Sequence, residues 1–171
     1  MNEEIIDIRD VNKLNEYLET DPSDGDGDTY KITGLKDAFD KKTVKTITFS
    51  DDVNIKITEI GKDVFIDCSS LESITGLSNV TNIGDNAFEN CNSLSKINST
   101  EDGTFDLSNV KTIGKSAFKI CTALKTINLP KVTTIDEEAF SYCGLETIVI
   151  PKVTTIGKQA FKGCTNLNKI N

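Results

Sequence analysis

Apolar residues recur along this chain in one pattern, I-G-x-x-A-F-x-x-C-x-x-L-x-x-I, written five times. The copies run Ile60-Gly61 to Ile74, Ile83-Gly84 to Ile97, Ile113-Gly114 to Ile127, Ile135-Asp136 to Ile148 and Ile156-Gly157 to Ile170. Their phenylalanines, Phe65, Phe88, Phe118, Phe140 and Phe161, are separated by 23, 30, 22 and 21 residues. A 22-residue unit accounts for all four intervals: one extra residue lies near Gly76, one is missing between Cys143 and Leu145, and eight are inserted from Asn98 to Phe105. A worn copy precedes them, with Ala38-Phe39, Lys42 at the Cys position, then Val44, Ile47 and Phe49. A fixed period of this length is the mark of a repeat architecture.

Each unit has a physical reading. The L-x-x-I-x-L run, as in Leu124 to Leu129, alternates in and out and predicts a strand with one buried face. Pro130 and Pro151 follow such runs and end the ladder. A Val-x-x-Ile segment and a glycine turn come next. Ala-Phe-x-x-Cys then spaces its apolar residues at i and i+3, which predicts one or two helical turns that need packing to form. No unit buries its own apolar side, so stacking supplies a shared core of Ile, Leu, Phe and Cys columns.

The repeat, with its Ile-Gly-x-x-Ala-Phe and following Cys, resembles the BspA-type leucine-rich repeat over roughly residues 35 to 171. That family includes many surface proteins of anaerobic bacteria, spirochaetes and trichomonads. The resemblance implies an α/β solenoid, right-handed, with a curved parallel β-sheet on the concave side and short helical turns on the convex side. It also implies an adhesive or recognition role at the cell surface or outside the cell, and it brings no catalytic residues. Residues 1–34 are expected to form an N-terminal cap, residues 35–171 the array. In the cap, Ile8, Val11, Leu14, Tyr17 and Leu18 fall on one helical stripe, and an acidic loop and a strand follow.

That loop raises a calcium question. Asp21, Asp24, Asp26 and Asp28 cluster there, but a calcium loop starting at Asp24 needs Gly sixth and Glu twelfth, where Thr29 and Leu35 stand. A solvated acidic turn is the preferred reading. The five cysteines, Cys68, Cys91, Cys121, Cys143 and Cys164, share one repeat position. With no C-x-x-C and no His, they read as a column of buried, reduced thiols rather than a zinc site. No metal or cofactor is expected.

Charge narrows the partners. The net charge is −8, and Arg9 is the single arginine among nineteen Lys+Arg, so nucleic acid is a poor partner. No apolar run is long enough to span a membrane, and Met1-Asn2-Glu3-Glu4 does not open a signal peptide. Without His the commonest general base is missing. The adjacent acids Glu137-Glu138 and Asp51-Asp52 fall on turns, with nothing to pair carboxylates across a cleft, so the chain is not expected to be an enzyme. Asn79-Val80-Thr81 and Asn98-Ser99-Thr100 match the glycosylation sequon.

The expected function is binding of a protein or glycan. Residues flanking each buried strand Ile point outward and none of those counted is acidic, which suggests a neutral to mildly basic strip on an acidic body. Lys96, Asn98, Thr126, Asn128, Thr147 and Lys169 are the candidate contacts. A ladder of Thr and Asn that only supports the sheet accounts for the strip equally well. The sequence stops at Ile170-Asn171 inside a strand run, so further repeats or edge-to-edge self-association through the last repeat are expected. A structural spacer is therefore the competing function.

Overall fold

Period-two patterning puts the strand isoleucines on one face, and stacking them demands a parallel ladder. In the computed structural model, which describes residues 4–9, 11–22, 29–37, 39–49, 55–98 and 105–171, two such ladders run along the molecule. The first contains β1 (Glu4–Ile8), β4 (Val44–Phe49), β6 (Ser73–Thr75) and β8 (Lys96–Ile97), then β9 (Phe105–Asp106), β11 (Thr126–Asn128), β13 (Thr147–Val149) and β15 (Lys169–Ile170). Ile6, Ile47, Ile74 and Ile97 share one register row, and Phe105, Ile127, Ile148 and Ile170 another. The ladder is split between β8 and β9 into two sheets of four strands.

The second ladder was not expected. The end of each Val-x-x-Ile segment pairs with its neighbours, giving β5 (Lys56–Ile60), β7 (Asn82–Ile83), β10 (Thr112–Ile113), β12 (Thr134–Ile135) and β14 (Thr155–Ile156). At its start β3 (Thr29–Leu35) pairs in parallel with β5, and β2 (Leu18–Pro22) closes the edge antiparallel to β3. The N-terminal segment is thus mainly strand, around a seven-residue helix, α1 (Val11–Tyr17), that buries Leu14. Of the acidic loop, Asp24, Asp26 and Asp28 lie outside the described residues, as do Asp51 and Asp52.

The expected helical turns are not helices. Asn86, Phe88 and Asn90 donate their N–H groups out of their own repeat, to the carbonyls of Lys115, Ala117 and Lys119 at 2.8, 2.8 and 2.9 Å. The intervening Ala87, Glu89 and Cys91 donate three residues back, to Gly84, Asn86 and Phe88. A helix directs every N–H to the residue four before it within one segment. Here alternate donors turn along the stacking axis because Asn86 and Asn90 sit at φ 54 and 62. The other repeats use the same device, from Asp63 and Asp67 to Gln159 and Gly163. Spacing at i and i+3 is common to both geometries.

The core follows the columns. Phe65, Phe88, Phe118, Phe140 and Phe161 stack ring on ring, with centroids 5.2, 5.3, 5.4 and 5.6 Å apart and planes within 14°. Phe39 of the worn copy meets Phe65 at a tilt of 52°. Beside the rings, the Cys91, Cys121, Cys143 and Cys164 thiols donate to the carbonyls of Phe65, Phe88, Phe118 and Phe140 at 3.1, 3.1, 2.8 and 2.9 Å. Cysteine is therefore both filler and donor, adding a second hydrogen bond to a carbonyl that already accepts the backbone N–H three residues on, as Phe88 does from Cys91. The missing residue before Leu145 is accommodated at Gly144, where a Cβ would stand 2.0 Å from the Thr122 carbonyl oxygen.

The insert is more than a loop. Phe105 takes the register position of the strand isoleucines opposite Ile127, and Asp106 lies opposite Asn128. The turns and the second ladder meanwhile pass directly from one repeat to the next, with Thr112 opposite Asn82 and Ala123 donating to Asn92. The eight residues therefore add a rung to the first ladder alone.

Candidate functional site: the outward rows of the two ladders

Two outward rows flank the buried isoleucines of the first ladder. One runs Ile5, Thr46, Ser73 and Lys96 in the first sheet, then Thr126, Thr147 and Lys169 in the second. The other contains Asp7, Thr48 and Thr75, then Asn128 and Val149. Thr126, Thr147 and Lys169 thus share one hydrogen-bonded register, whereas Lys96 belongs to the other sheet. Lys96 and Thr126 are not on successive rungs, because β9 stands between β8 and β11.

The rows are also less uniform in charge than expected. The uncounted rung β1 places Asp7 among the Thr positions. Arg9 Nε donates to Asp7 at 2.6 Å. The adjoining positions hold exposed ion pairs, Lys45 with Glu72 at 3.3 Å and Lys125 with Glu146 at 3.4 Å. Such pairs hold rungs in register and contribute little stability. Among the described residues, exposed Lys96 and Lys169 have no ionic partner.

Asn98 has a structural task. Its side-chain oxygen accepts the Leu77 N–H at 2.8 Å, its own N–H donates to Ile74 at 3.0 Å, and its φ is 41. Half-buried, it caps the end of β6 through its side-chain oxygen. Asn79 of the other sequon is exposed.

The second ladder has its own outward row: Glu59, Asn82, Thr112 and Thr134. Thr112 Oγ1 donates to Asn82 Oδ1 at 2.9 Å, and Lys31 pairs with Glu59. A shallow groove of about 340 Å³ runs between this row and Asp85 and Asp136, floored by Gly84 and Gly114. Asp85 Oδ1 accepts the Lys115 N–H at 2.9 Å and Asp136 Oδ1 that of Glu137 at 2.7 Å, so both carboxylates serve the turns. The recurring Thr/Asn before each second isoleucine was the available signal for this face.

The turns carry the remaining charge. Lys119 Nζ lies 2.8 Å from Glu138 and 3.8 Å from Glu89. The hydrogen bond from Lys119 holds the Glu138 carboxyl below its usual range and raises the ammonium in return. Inside, burial pushes the thiols of Cys68 and Cys164 up to about 12 and about 11, and raises Cys91 and Cys121 as well. Thiols of this kind are poor nucleophiles and poor metal ligands at neutral pH. Among the described residues no three His, Cys, Asp or Glu side chains converge as a metal site, and no helix is long and apolar enough to cross a membrane.

Six copies of the BspA type leucine rich repeat region match residues 35–168. No curated protein matches the chain. Among solved structures, the chain is similar to the T. pallidum leucine rich repeat protein TpLRR, with 26% identity and a TM-score of 0.73, covering 91% of this chain and 68% of that one. It is 31% identical to a leucine-rich repeat protein from Bacteroides ovatus, with a TM-score of 0.71, over 91% of this chain and 39% of that one. A leucine rich cell surface protein from Faecalibacterium prausnitzii matches at 27% identity and a TM-score of 0.50, over 89% of this chain and 54% of that one. The chain thus spans about two thirds of the first of these proteins and much less of the second. With six matched copies and a ladder of stacked Phe and Cys columns, the chain belongs to the BspA-type leucine-rich-repeat family.

Proposed function

We propose that this chain is a non-catalytic binding module of adhesin type, which uses the outward rows of the first ladder to recognise a protein or glycan at a cell surface or in its matrix. The observation that carries this reading is Lys96. It is exposed and without an ionic partner among the described residues, while Lys45 and Lys125 of the same ladder are both paired. A cation with no ionic partner among the described residues, set amid hydroxyl and amide side chains, is suited to meet a ligand. The cell-surface relative from Faecalibacterium prausnitzii supports the location. Residues 1–34 act as the cap, since β1 continues the first ladder and the β2–β3 hairpin ends the second.

Area limits what this face does alone. Eight rungs at about 4.8 Å give about 38 Å, and a width of about 16 Å makes roughly 600 Å². A standard interface takes about 800 Å² per partner, so the face binds weakly or acts within a longer array. The test is an immobilised panel of extracellular-matrix proteins and glycans. Lys96→Glu combined with Thr126→Glu should weaken capture about tenfold or more, with Lys158→Glu on the turn as control. Capture unaffected by the ladder variant but abolished by the control would reject the face.

A second reading is a spacer or self-associating segment, in keeping with turns whose N–H groups from Asp63 to Tyr142 each bind the next repeat. Light scattering over a concentration series distinguishes it, since a monomer throughout removes that reading.

A further inference from the structure

Each of the five clear repeats places a residue at positive φ two positions after its core phenylalanine: Asp67, Asn90, Ile120, Tyr142 and Gly163, at φ 62, 62, 60, 57 and 72. Asp, Asn and Gly tolerate this conformation, whereas β-branched and bulky residues seldom adopt it. The two misfits are neighbours. Ile120 donates its N–H to Ser141 in the next repeat at 2.8 Å, and Tyr142 donates to Lys162 at 2.6 Å, so their backbones stand one rung apart on the turn ridge.

Two further anomalies fall on the same spot. Ser141 is fully buried and its hydroxyl has no hydrogen-bond partner, where the other repeats carry Ile66, Glu89, Lys119 and Lys162. Buried polar groups left unpaired are uncommon in native folds and ask for an explanation. Tyr142 is 47% exposed, alone among the aromatic side chains described. Its ring leans over the following repeat, where a Cβ on Gly163 would stand 2.4 Å from Tyr142 Cδ1, and the Lys162 ammonium lies 5.7 Å from its centroid. Lys162 has no carboxylate within ion-pair distance among the described residues, unlike Lys119.

Neither backbone compatibility nor full burial explains an isoleucine and a tyrosine here. Strained conformations persist where the side chain serves something beyond the fold. We propose that Ile120 and Tyr142 form a docking knob on the turn ridge for a protein partner that offers an apolar pocket with a carboxylate at its rim. The carboxylate meets Lys162, and Tyr142 is the anchor, tyrosine being one of the residues that dominate interface energetics. A protein pocket is favoured over a sugar because the polar side chains nearby are already committed. Glu138 is held by Lys119, and Asn90 donates to Asp67 at 2.7 Å. This surface lies on the turns and does not depend on the role assigned to the first ladder.

The experiment has two arms on the full chain. The first compares the urea midpoint of the parent with that of the double variant Ile120→Asn/Tyr142→Asn, which installs the residue found at Asn90. The midpoint is expected to rise. A fall would mean that both side chains serve packing, and the proposal would be overturned. The second arm selects a displayed library of random dodecapeptides on the parent chain and screens it against the variant, beside a glycan array. Enriched peptides should combine apolar residues with Asp or Glu, bind the variant about tenfold more weakly, and lose affinity on Lys162→Gln. No enrichment, equal binding by the variant, or glycan binding that depends on Tyr142 would each overturn it.

Discussion

Replacing Phe118 with alanine removes the middle ring of the aromatic column. The ring is fully buried and stacks on Phe88 at 5.3 Å and on Phe140 at 5.4 Å. Truncating a buried phenylalanine costs about 3–5 kcal/mol through lost transfer energy and the cavity left behind. Each stacked pair adds about 0.5–1.5 kcal/mol beyond its area, which places Phe118→Ala near the top of that range, about 4–5 kcal/mol. Phe161 is half-buried and has one ring neighbour, at 5.6 Å, so Phe161→Ala should cost about half as much. The ratio matters more than either value, because a stacked array sums repeat and nearest-neighbour terms. Urea denaturation followed by circular dichroism, with linear extrapolation, supplies both numbers. Equal losses, or a Phe118 loss below about 2 kcal/mol, would refute the column as the organising element of the core.

Other outcomes follow from single contacts. Gly144→Ala should destabilise by about 1–3 kcal/mol, since its Cβ would meet the Thr122 carbonyl at 2.0 Å; an unchanged urea midpoint would show that the backbone yields there. Cys121→Ala should cost more than Cys121→Ser, because only serine retains a donor for the Phe88 carbonyl 3.1 Å away, and the two midpoints decide it. Stability should fall as pH rises above 9. The ordinary thiol value is 9.0 and the folded value at Cys68 is about 12, so in that window the unfolded chain sheds protons that the folded one keeps; a flat urea midpoint from pH 8 to 11 would contradict the burial of the thiols. Asn98→Ala should lower stability by about 1 kcal/mol by uncapping the Leu77 N–H, whereas a variant that loses ligand capture with its midpoint unchanged would place Asn98 on the binding face.

The columns were legible because stacking makes periodicity and burial the same thing. Each repeated Phe, Cys, Leu and Ile of the middle copies is buried where the period places it. What escaped was carried by other signals. The turns were read as helical because i, i+3 spacing does not separate a helix from stacked three-residue turns. The Asp or Asn two residues after Gly61 and Gly84, and again at Asp67 and Asn90, was the sign of left-handed backbone. Two-residue strands such as Asn82–Ile83 show no alternation to detect. Phe105 falls at the end of the insert, yet Phe105-x-Leu107 repeats the Ile127-x-Leu129 spacing that marks a rung. Of the six proposed contacts, Asn98 also has a structural task that escaped notice, its cap on Leu77, a hydrogen bond between residues that no pattern within one repeat relates.

The alternate donors of the turns also give the array a direction. From Asp63 to Tyr142 these N–H groups reach forward, each to a carbonyl of the following repeat. Their peptide dipoles align head to tail through the turns, so a chain with one short helix among its described residues carries the same polarity that helices owe to their backbone. The edges of the repeats do not share it: the N–H groups of Gly84, Ser95, Asn98 and Gly114 reach back to Ile60, Glu72, Ile74 and Ile83 of the preceding repeat, so each face of a repeat carries donors and acceptors both, and the single polarity belongs to the turns.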